Sequence, residues 1–335
     1  MKLILDTVTP IHIGSGVEVD PFEYVIDDKF YKINLNKFIE LLDEKDRNNF
    51  LDISAKNIVQ TRQVIKNKAN LYLVSEYTAK VSDEVRNIYN SKISDPRNEL
   101  DIQTFIKSRN LSYVPGSSVK GAIRTALLYY YANKPLQRAD RNIEGEVFRY
   151  KNAGNDPFRA LKISDSGFIR HEQMQVYNVK TYTKKFGQFR SESDYEYREL
   201  GFNIFMECTD AHLLNKKVRL EHTLHIDEEL QKYNYLKIKL TPEIIIKACK
   251  EFYGKLIESE KKFFEGESAE SIYLELEKLD GLIEKKDNMF LLRLGGGSQY
   301  DGITLNLAMQ RREVKKSRKL INSKYPLGWV LATVT

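Results

Sequence analysis

Hydrophobic residues alternate with polar ones in several short runs and recur at helical spacing in a few longer ones, so the chain predicts a mixed α+β fold. KLILDTV (2–8) alternates and is β-branched, which predicts a first strand. Pro10, Gly14 and Gly16 of TPIHIGSG then break it. FEYVIDDKFYKI predicts a hairpin around Asp27 and Asp28. NLNKFIELLDE opens on an Asn cap and spaces Phe38, Leu41 and Leu42 along a helix, and SAKNIVQTRQVIKNK predicts another helix. LYLVSEYT reads as a strand. The polar stretch from Val81 to Arg109, interrupted by Pro96, reads as loop with a short helix.

LSYVPGSSVKGAIRTALLYYYANK is the clearest unit in the chain. A short strand, Leu111 to Val114, meets a Pro-Gly turn, and Ser117 or Ser118 can cap a helix running to Asn133. RALKISDSG predicts a strand ending in a turn, and the basic, aromatic stretch Tyr177 to Ser193 predicts an exposed loop or hairpin. ELGFNIFMECTD and KVRLEHTLHI read as strands. PEIIIKACKEFYGKLIESEKKFFEG, with Pro242 in its first turn, predicts a long amphipathic helix, and SAESIYLELEKLDGLIEKK continues helical. NMFLLRLGGGSQYDGI predicts strand, glycine turn and helix start, and GWVLATV a closing strand. The expected division is a core with insertions over 1–226. Residues 227–335 would add a helical segment, a glycine-rich loop and the closing strand, packed on that core.

Composition narrows the class. With 335 residues, 41% hydrophobic and 30% charged, the chain can build a real core in one large or two moderate domains. No apolar run approaches the ~18 residues of a membrane span, and the start turns polar too soon for a signal peptide, so a cytoplasmic protein is expected. Cys208 and Cys249 are not spaced as a metal knuckle or redox pair, and two reduced, buried thiols are expected. His222 and His225 lie three apart on a predicted strand and therefore on opposite faces, which argues against zinc. Neither a metal nor a cofactor is expected. The net charge of +6 is mild, but RREVKKSRK (Arg311 to Lys319) packs six basic residues with one acid. That density suits a polyanion, with a solvated helix face as the plain alternative.

Three glycine turns carry candidate chemistry: Gly14-Ser15-Gly16 after the first strand, Pro115-Gly116-Ser117-Ser118 opening a helix, and Gly295-Gly296-Gly297-Ser298 after FLLRL. Glycine lets backbone N–H groups approach a ligand closely. The second turn adds a helix N-terminus suited to phosphate, with Lys120 and Arg124 four apart on one helix face. Neither the second nor the third turn has the spacing of a nucleotide loop or dinucleotide fingerprint. Gly121 inside a helix costs ~1 kcal/mol relative to alanine, which predicts something close to the backbone there. Candidate catalytic groups are His12, as general acid or base, and Asp20 and Asp165 among the carboxylates, which include Asp27, Asp28 and Asp301. Each has a plain reading as a turn or hydrogen-bonding residue.

TPIHIGSG, YVPGSSVKGAIRTAL, LKISDS and LRLGGGSQYDG, in that order, resemble the RAMP superfamily of type III CRISPR systems. TPIHIGSG together with PLGWV near the end resembles the fifth-subunit branch of the Csm (type III-A) complex. The resemblance spans nearly the whole chain. It implies a ferredoxin-like (RRM-like) βαββαβ core with long insertions, with a second, degenerate ferredoxin-like part as a further option. On this chain that core maps to strand 2–8, helix 117–132, strand 160–166, strand 200–209, helix 242–264 and strand 289–294. The resemblance also implies a non-catalytic subunit that caps the 3′ part of the guide RNA, is needed for guide maturation and antiviral interference, and abuts the backbone RAMP subunit. The small helical Csm subunit and host trimming nucleases are further expected partners, and no membrane is. The RNA-binding expectation falls on His12, Gly14, Ser15, Gly16, Ser117, Ser118, Lys120, Arg124, Arg293, Gly295, Gly296, Gly297, Ser298, Gln299, Arg311, Arg312 and Lys315. No base-stacking aromatic signature of ordinary RRMs is visible, so contact should lean on phosphates and 2′-hydroxyls. A guide-processing endoribonuclease, a RAMP subunit of the related Cmr complex and a protein scaffold without RNA contact are the alternatives.

Overall fold

The computed structural model describes residues 1–96, 100–132, 143–186, 195–232, 236–297 and 317–335. Two sheets organise it. The first has the order Met289–Arg293, Trp329–Val334, Lys2–Thr7, Arg219–Ile226, Leu161–Ile163, every neighbour antiparallel. Lys2–Thr7 is central, with Leu3 opposite His222 on one side and Val334 on the other. Arg219–Ile226 buries Leu220, His222 and Leu224 and exposes Arg219, Glu221, Thr223 and His225, so the two histidines do face apart. Helices Gly116–Ala132, Pro242–Phe263 and Glu270–Ile283 pack against this sheet and each other. They bury stripes at helical spacing: Val119, Ile123 and Leu127 on the first, Ile245, Cys249, Phe252 and Leu256 on the second. Each such side chain, fully buried, contributes roughly 1.5–3 kcal/mol.

The second sheet is built around the long strand Met174–Phe186, which pairs with Phe205–Thr209, Ser75–Val81, Tyr195–Glu199 and Ser317–Ile321. Beyond Phe205–Thr209 lie Ile102–Phe105 and then Gly14–Val19; beyond Ser75–Val81 lie Phe30–Ile33 and Tyr24–Ile26. The expected hairpin at Asp27–Asp28 is therefore present. A helical insertion, Leu35–Leu41, Glu44–Ser54 and Ile58–Lys68, is capped by Asn34, Asp43 and Asn57. It has its own small core around Phe38, Phe50 and Ile65. Cys208 and Cys249 are buried and unbridged.

Several expected elements change. Of the two readings for Tyr177 to Ser193, the hairpin holds, since Met174–Phe186 pairs antiparallel with Tyr195–Glu199, but its first arm is not exposed. Val176, Val179 and Tyr182 are buried, because strands flank Met174–Phe186 on both sides, and Glu84 and Glu199 neutralise Lys180. Residues 187–194 lie outside the described residues. Leu71–Val74 forms a helical turn capped by Asn70 before the strand Ser75–Val81. The Val81 to Arg109 stretch holds helix Asp83–Lys92 and strand Ile102–Phe105. The expected core strand 200–209 belongs to the second sheet as Phe205–Thr209, and Arg219–Ile226 takes its place in the first. The expected last core strand, 289–294, sits at the edge as Met289–Arg293, with the closing strand Trp329–Val334 between it and Lys2–Thr7. After the short helix Glu228–Gln231, the two packed helices Pro242–Phe263 and Glu270–Ile283 run out and back, so Met289–Arg293 enters the sheet running opposite to Arg219–Ile226. Strands from both sides of residue 226 thus share this sheet.

Candidate nucleic-acid interface

Residues 8–13 thread between the two sheets. Val8 N donates to Trp329 O in the first sheet (2.9 Å), and Ile11 N donates to Thr209 Oγ1 in the second (3.1 Å). At the end of this thread His12 is only 4% exposed. Its Nδ1 bonds the Glu207 backbone carbonyl at 2.7 Å, and its ring stands edge-on to Phe105 at 6.3 Å. The third turn closes over the same residue: Gly296 N donates to His12 O (2.9 Å). Gly295 adopts φ +72°, and a Cβ there would lie 2.0 Å from His12 O, so no other residue fits. The first and third glycine turns therefore meet at His12.

A run of hydrogen bonds continues to the second turn. Ile106 N donates to Ile13 O (2.8 Å), Tyr113 N to Ile106 O (3.4 Å), Ser166 N to Val114 O (3.0 Å) and Gly116 N to the Asp165 carboxylate (2.8 Å). TPIHIGSG, YVPGSSVKG, LKISDS and LRLGGG, far apart in sequence, are knitted into one rim.

A cleft of about 410 Å³ opens at the first turn, lined by His12, Gly14, Gly16, Val17, Glu18, Gln103 and Thr104. Ser15 bonds Thr104 through the hydroxyls (2.6 Å), inside an irregular stretch between Gly14 and Glu18. Beneath lies Glu207, buried, accepting from Phe105 N (2.8 Å) and from the Lys107 ammonium. That ammonium also sits over the Tyr77 ring at 4.4 Å. Burial lowers the Lys107 pKa against the pull of Glu207. Burial likewise lowers the pKa of Lys319, the last residue of the basic cluster. For His12, burial outweighs the Glu207 carbonyl bond and charge, and Lys319 and Lys107 add to it, so the imidazole titrates below its ordinary value.

Other expected site residues sit differently. Arg293 is not at the surface. It is 1% exposed, donates to Leu327 O (3.1 Å) and pairs with buried Glu260 (3.3 Å). Arg318, from the basic cluster, pairs with the same Glu260 at 2.7 Å, and Tyr273 donates to it at 3.0 Å. This cluster joins helix Pro242–Phe263 to strands of both sheets. Burial would raise the Glu260 carboxyl, but the two guanidiniums and Tyr273 outweigh it and hold it below the usual range. Arg124 is already engaged within the chain, with Glu144 (2.6 Å) and Asp156 (2.9 Å), and stacks over Phe158 at 4.5 Å, so a phosphate would have to compete with two carboxylates for it. Lys120 is half-buried beside Asp156 and Arg124; burial lowers its pKa. Ser117 is exposed and Ser118 half-buried. Asp165 caps the helix at Gly116 and so serves as a structural cap. Asp20 is exposed; its carboxyl is hydrogen-bonded to that of Asp101, which is pushed up to about 6 by burial, by Asp20 and by the charge of Glu18. A methyl on Gly121 would meet nothing within 4 Å among the described residues, so no packing among them explains that glycine. Gly295–Gly297 forms a short 3-10 turn, whereas Ser298, Gln299, Asp301, Arg311, Arg312 and Lys315 lie outside the described residues. Sequence reasoning missed Glu207 and Lys107. A single acid inside the otherwise apolar strand FMECT was the available signal.

The RAMP superfamily description matches residues 4–300 of the chain. The chain belongs to the RAMP superfamily. Among curated RAMP relatives it is 29% identical over 329 residues to the CRISPR system Cms protein Csm5 of Methanocaldococcus jannaschii, a match covering 89% of this chain and 71% of that protein. It is 31% identical over 207 residues to Csm5 of Streptococcus thermophilus, covering 55% and 56% respectively. Among solved structures, a chain of a Csm–crRNA–target RNA ternary complex of a type III-A system superposes with TM-score 0.71 at 18% identity, covering 99% of this chain and 100% of that one. The crystal structure of T. onnurineus Csm5 superposes with TM-score 0.63 at 19% identity, with the same coverage. At these identities the structural likeness is one of fold. No helix among the described residues is long and apolar enough to cross a membrane.

Proposed function

We propose that this RAMP chain is a non-catalytic, guide-RNA-binding subunit of a type III-A CRISPR (Csm) ribonucleoprotein, of the Csm5 kind. It caps the 3′ portion of the guide and is needed for guide maturation and antiviral interference. Its neighbours are the backbone RAMP subunit and the small helical subunit, and host nucleases trim the guide. The observation that carries the reading is the meeting of the first and third motif segments at His12 beside a glycine-lined cleft, with hydrogen bonds through Ile106 and Tyr113 tying in the other two segments. Relatives named Csm5, and a similarly folded chain in a complex containing crRNA, support the assignment to this assembly. We read the first sheet as a ferredoxin-like core in which Trp329–Val334 holds the place of the last strand, because it pairs with Lys2–Thr7 on the side opposite Arg219–Ile226. Backbone-lined turns suit phosphate and ribose contact, which a subunit accepting any guide sequence needs.

The non-catalytic reading is supported by the fates of the candidate groups. Asp165 is a helix cap, Asp20 faces another carboxyl, and the His12 imidazole has no carboxylate on its Nδ1 to orient it as a strong base. The test is ultraviolet crosslinking of the complete complex carrying labelled guide RNA, with peptide mapping. Crosslinks at residues 12–18, 103–107 or 295–297 are expected. A complex that retains this chain without any crosslink from it would identify a scaffold. Cutting of repeat RNA by the purified chain would favour the ribonuclease.

A further inference from the structure

The His12 geometry goes one step further, within the RNA-binding reading just given. The Glu207 backbone carbonyl can only accept, so Nδ1 of His12 must carry the proton in the 2.7 Å bond between them. The neutral ring then presents Nε2 as an unprotonated acceptor. His12 is almost fully buried, yet it lines the cleft, and Nε2 has no hydrogen-bond partner among the described residues. Two glycines keep that edge uncovered. A Cβ on Gly14 would sit 3.3 Å from Nε2, and one on Gly296 would sit 3.4 Å from Cδ2. Gly14 does not have a positive φ, so it is required for space beside the imidazole and not for its backbone conformation.

We infer that His12 Nε2 accepts a hydrogen bond from a ribose 2′-hydroxyl, making this cleft a sensor that distinguishes RNA from DNA. A neutral acceptor repels a phosphate oxygen, which offers only lone pairs; its ligand must donate. On a nucleic acid the donors are the 2′-hydroxyl and the nucleobase amino and imino groups. The 2′-hydroxyl is present on every ribonucleotide whatever the base, and it is the group that separates RNA from DNA. Lys107 and Lys319, whose charges reach His12, oppose its protonation, and Glu207 favours it. The phosphate contacts that position the strand therefore fall to the turns around His12 and not to the ring itself.

The experiment measures binding of the full chain to a short single-stranded oligoribonucleotide, its all-deoxy counterpart and a uridine-only RNA, by fluorescence anisotropy. One hydrogen bond is worth a preference of about five- to tenfold for RNA over the deoxy strand. Gly14→Ala, which covers Nε2 and leaves the Nδ1 bond in place, should bring that ratio to about one by weakening RNA binding alone. His12→Phe keeps the edge contact to Phe105, removes the acceptor and should do the same. Melting curves separate misfolding from loss of the acceptor. Equal loss for RNA and DNA in both folded variants would make His12 a structural residue and overturn the inference. An unchanged ratio would also overturn it, while leaving RNA binding itself intact. Dependence on His12 that vanishes with uridine-only RNA would assign the donor to a base amino group instead. Cutting of the RNA that Gly14→Ala and His12→Phe abolish would make His12 catalytic, which equally overturns it. Absence of any RNA binding would instead remove the proposed function.

Discussion

At the first glycine turn, His12 donates through Nδ1 to the Glu207 carbonyl at 2.7 Å and presents Nε2 to an open cleft. Beside the second, His222 donates through Nδ1 to the Ser164 carbonyl at 2.8 Å, but its Nε2 is sealed in without a hydrogen-bond partner. Both rings are buried, and burial lowers both pKa values. Their glycines differ in the same way. Gly116 is pressed against the Ile163 carbonyl, where a Cβ would come within 2.1 Å, and its N–H is satisfied by Asp165. A Cβ on Gly14 would meet only the His12 imidazole edge, at 3.3 Å, among the described residues. The contrast teaches that a glycine after a strand has two uses: letting two stretches of backbone touch, or leaving a side chain reachable. The second turn serves the fold, and the first leaves a cleft beside His12, where we place the proposed RNA contact.

The largest expected effect probes what backs the open turns. Glu260→Ala leaves Arg293 and Arg318 buried without their shared carboxylate, which costs about 3–5 kcal/mol and should show as a large fall in the urea midpoint. Because the Glu260 carboxyl is held below its ordinary 4.5, its contribution is present above that value and is lost as pH falls through the lowered one. Wild-type stability should therefore drop on acidification, and the variant should show less of that dependence.

Next comes Gly116→Ala, whose clash is with backbone that cannot swing away; overpacking of this kind costs about 1–3 kcal/mol or more. Gly14→Ala meets only an imidazole edge and should melt within a few degrees of the wild type. Comparable destabilisation by the two would break the distinction between closed and open turns. Asp165→Ala should cost about 0.5–2 kcal/mol, as loss of a helix cap does, with RNA affinity of the folded protein unchanged. A specific loss of RNA affinity there would put the second turn back among the ligand sites.

The smallest effect concerns the acidic margin near the cleft. Asp101, pushed up to about 6 by burial and then by Asp20 and Glu18, favours its protonated form in the folded protein. Its contribution is full below the ordinary 3.8 and is lost as pH rises through about 6. Asp101→Asn should raise the melting temperature slightly at neutral pH and leave it nearly unchanged in mild acid. Absence of any pH dependence in that difference would show that Asp20 and Asp101 do not share a proton.

Much of the architecture was legible because local chemistry and tertiary demand agreed. Asn34 caps its helix, Pro242 opens the longest one, and Arg219–Ile226 alternates as a half-buried strand should. The readings that failed were those where burial overrode polarity. The hairpin expected over Tyr177 to Ser193 looked exposed because of its lysines, yet pairing on both sides and the acids Glu84 and Glu199 take its first arm inside. Arg293 and Arg318 looked like ligand cations because they flank glycines and a basic run. Nothing within several residues of either announces Glu260, which lies on a helix 33 positions from the first and 58 from the second.

The order and chemistry of the motifs were determined by the chain itself: glycines after strands, a histidine before the first of them, a helix opening on Pro-Gly. Periodicity and capping are local, so they survive without knowledge of the partners. Which glycine lines a cleft, which histidine nitrogen faces that cleft and which arginine is internal were decided only when distant segments came together. Those outcomes depend on a carbonyl at Glu207, a carboxylate at Asp165 and a carboxylate at Glu260, each brought in from elsewhere in the sequence. Hydrogen bonds and ion pairs act over a few ångströms in space, whatever the separation along the chain.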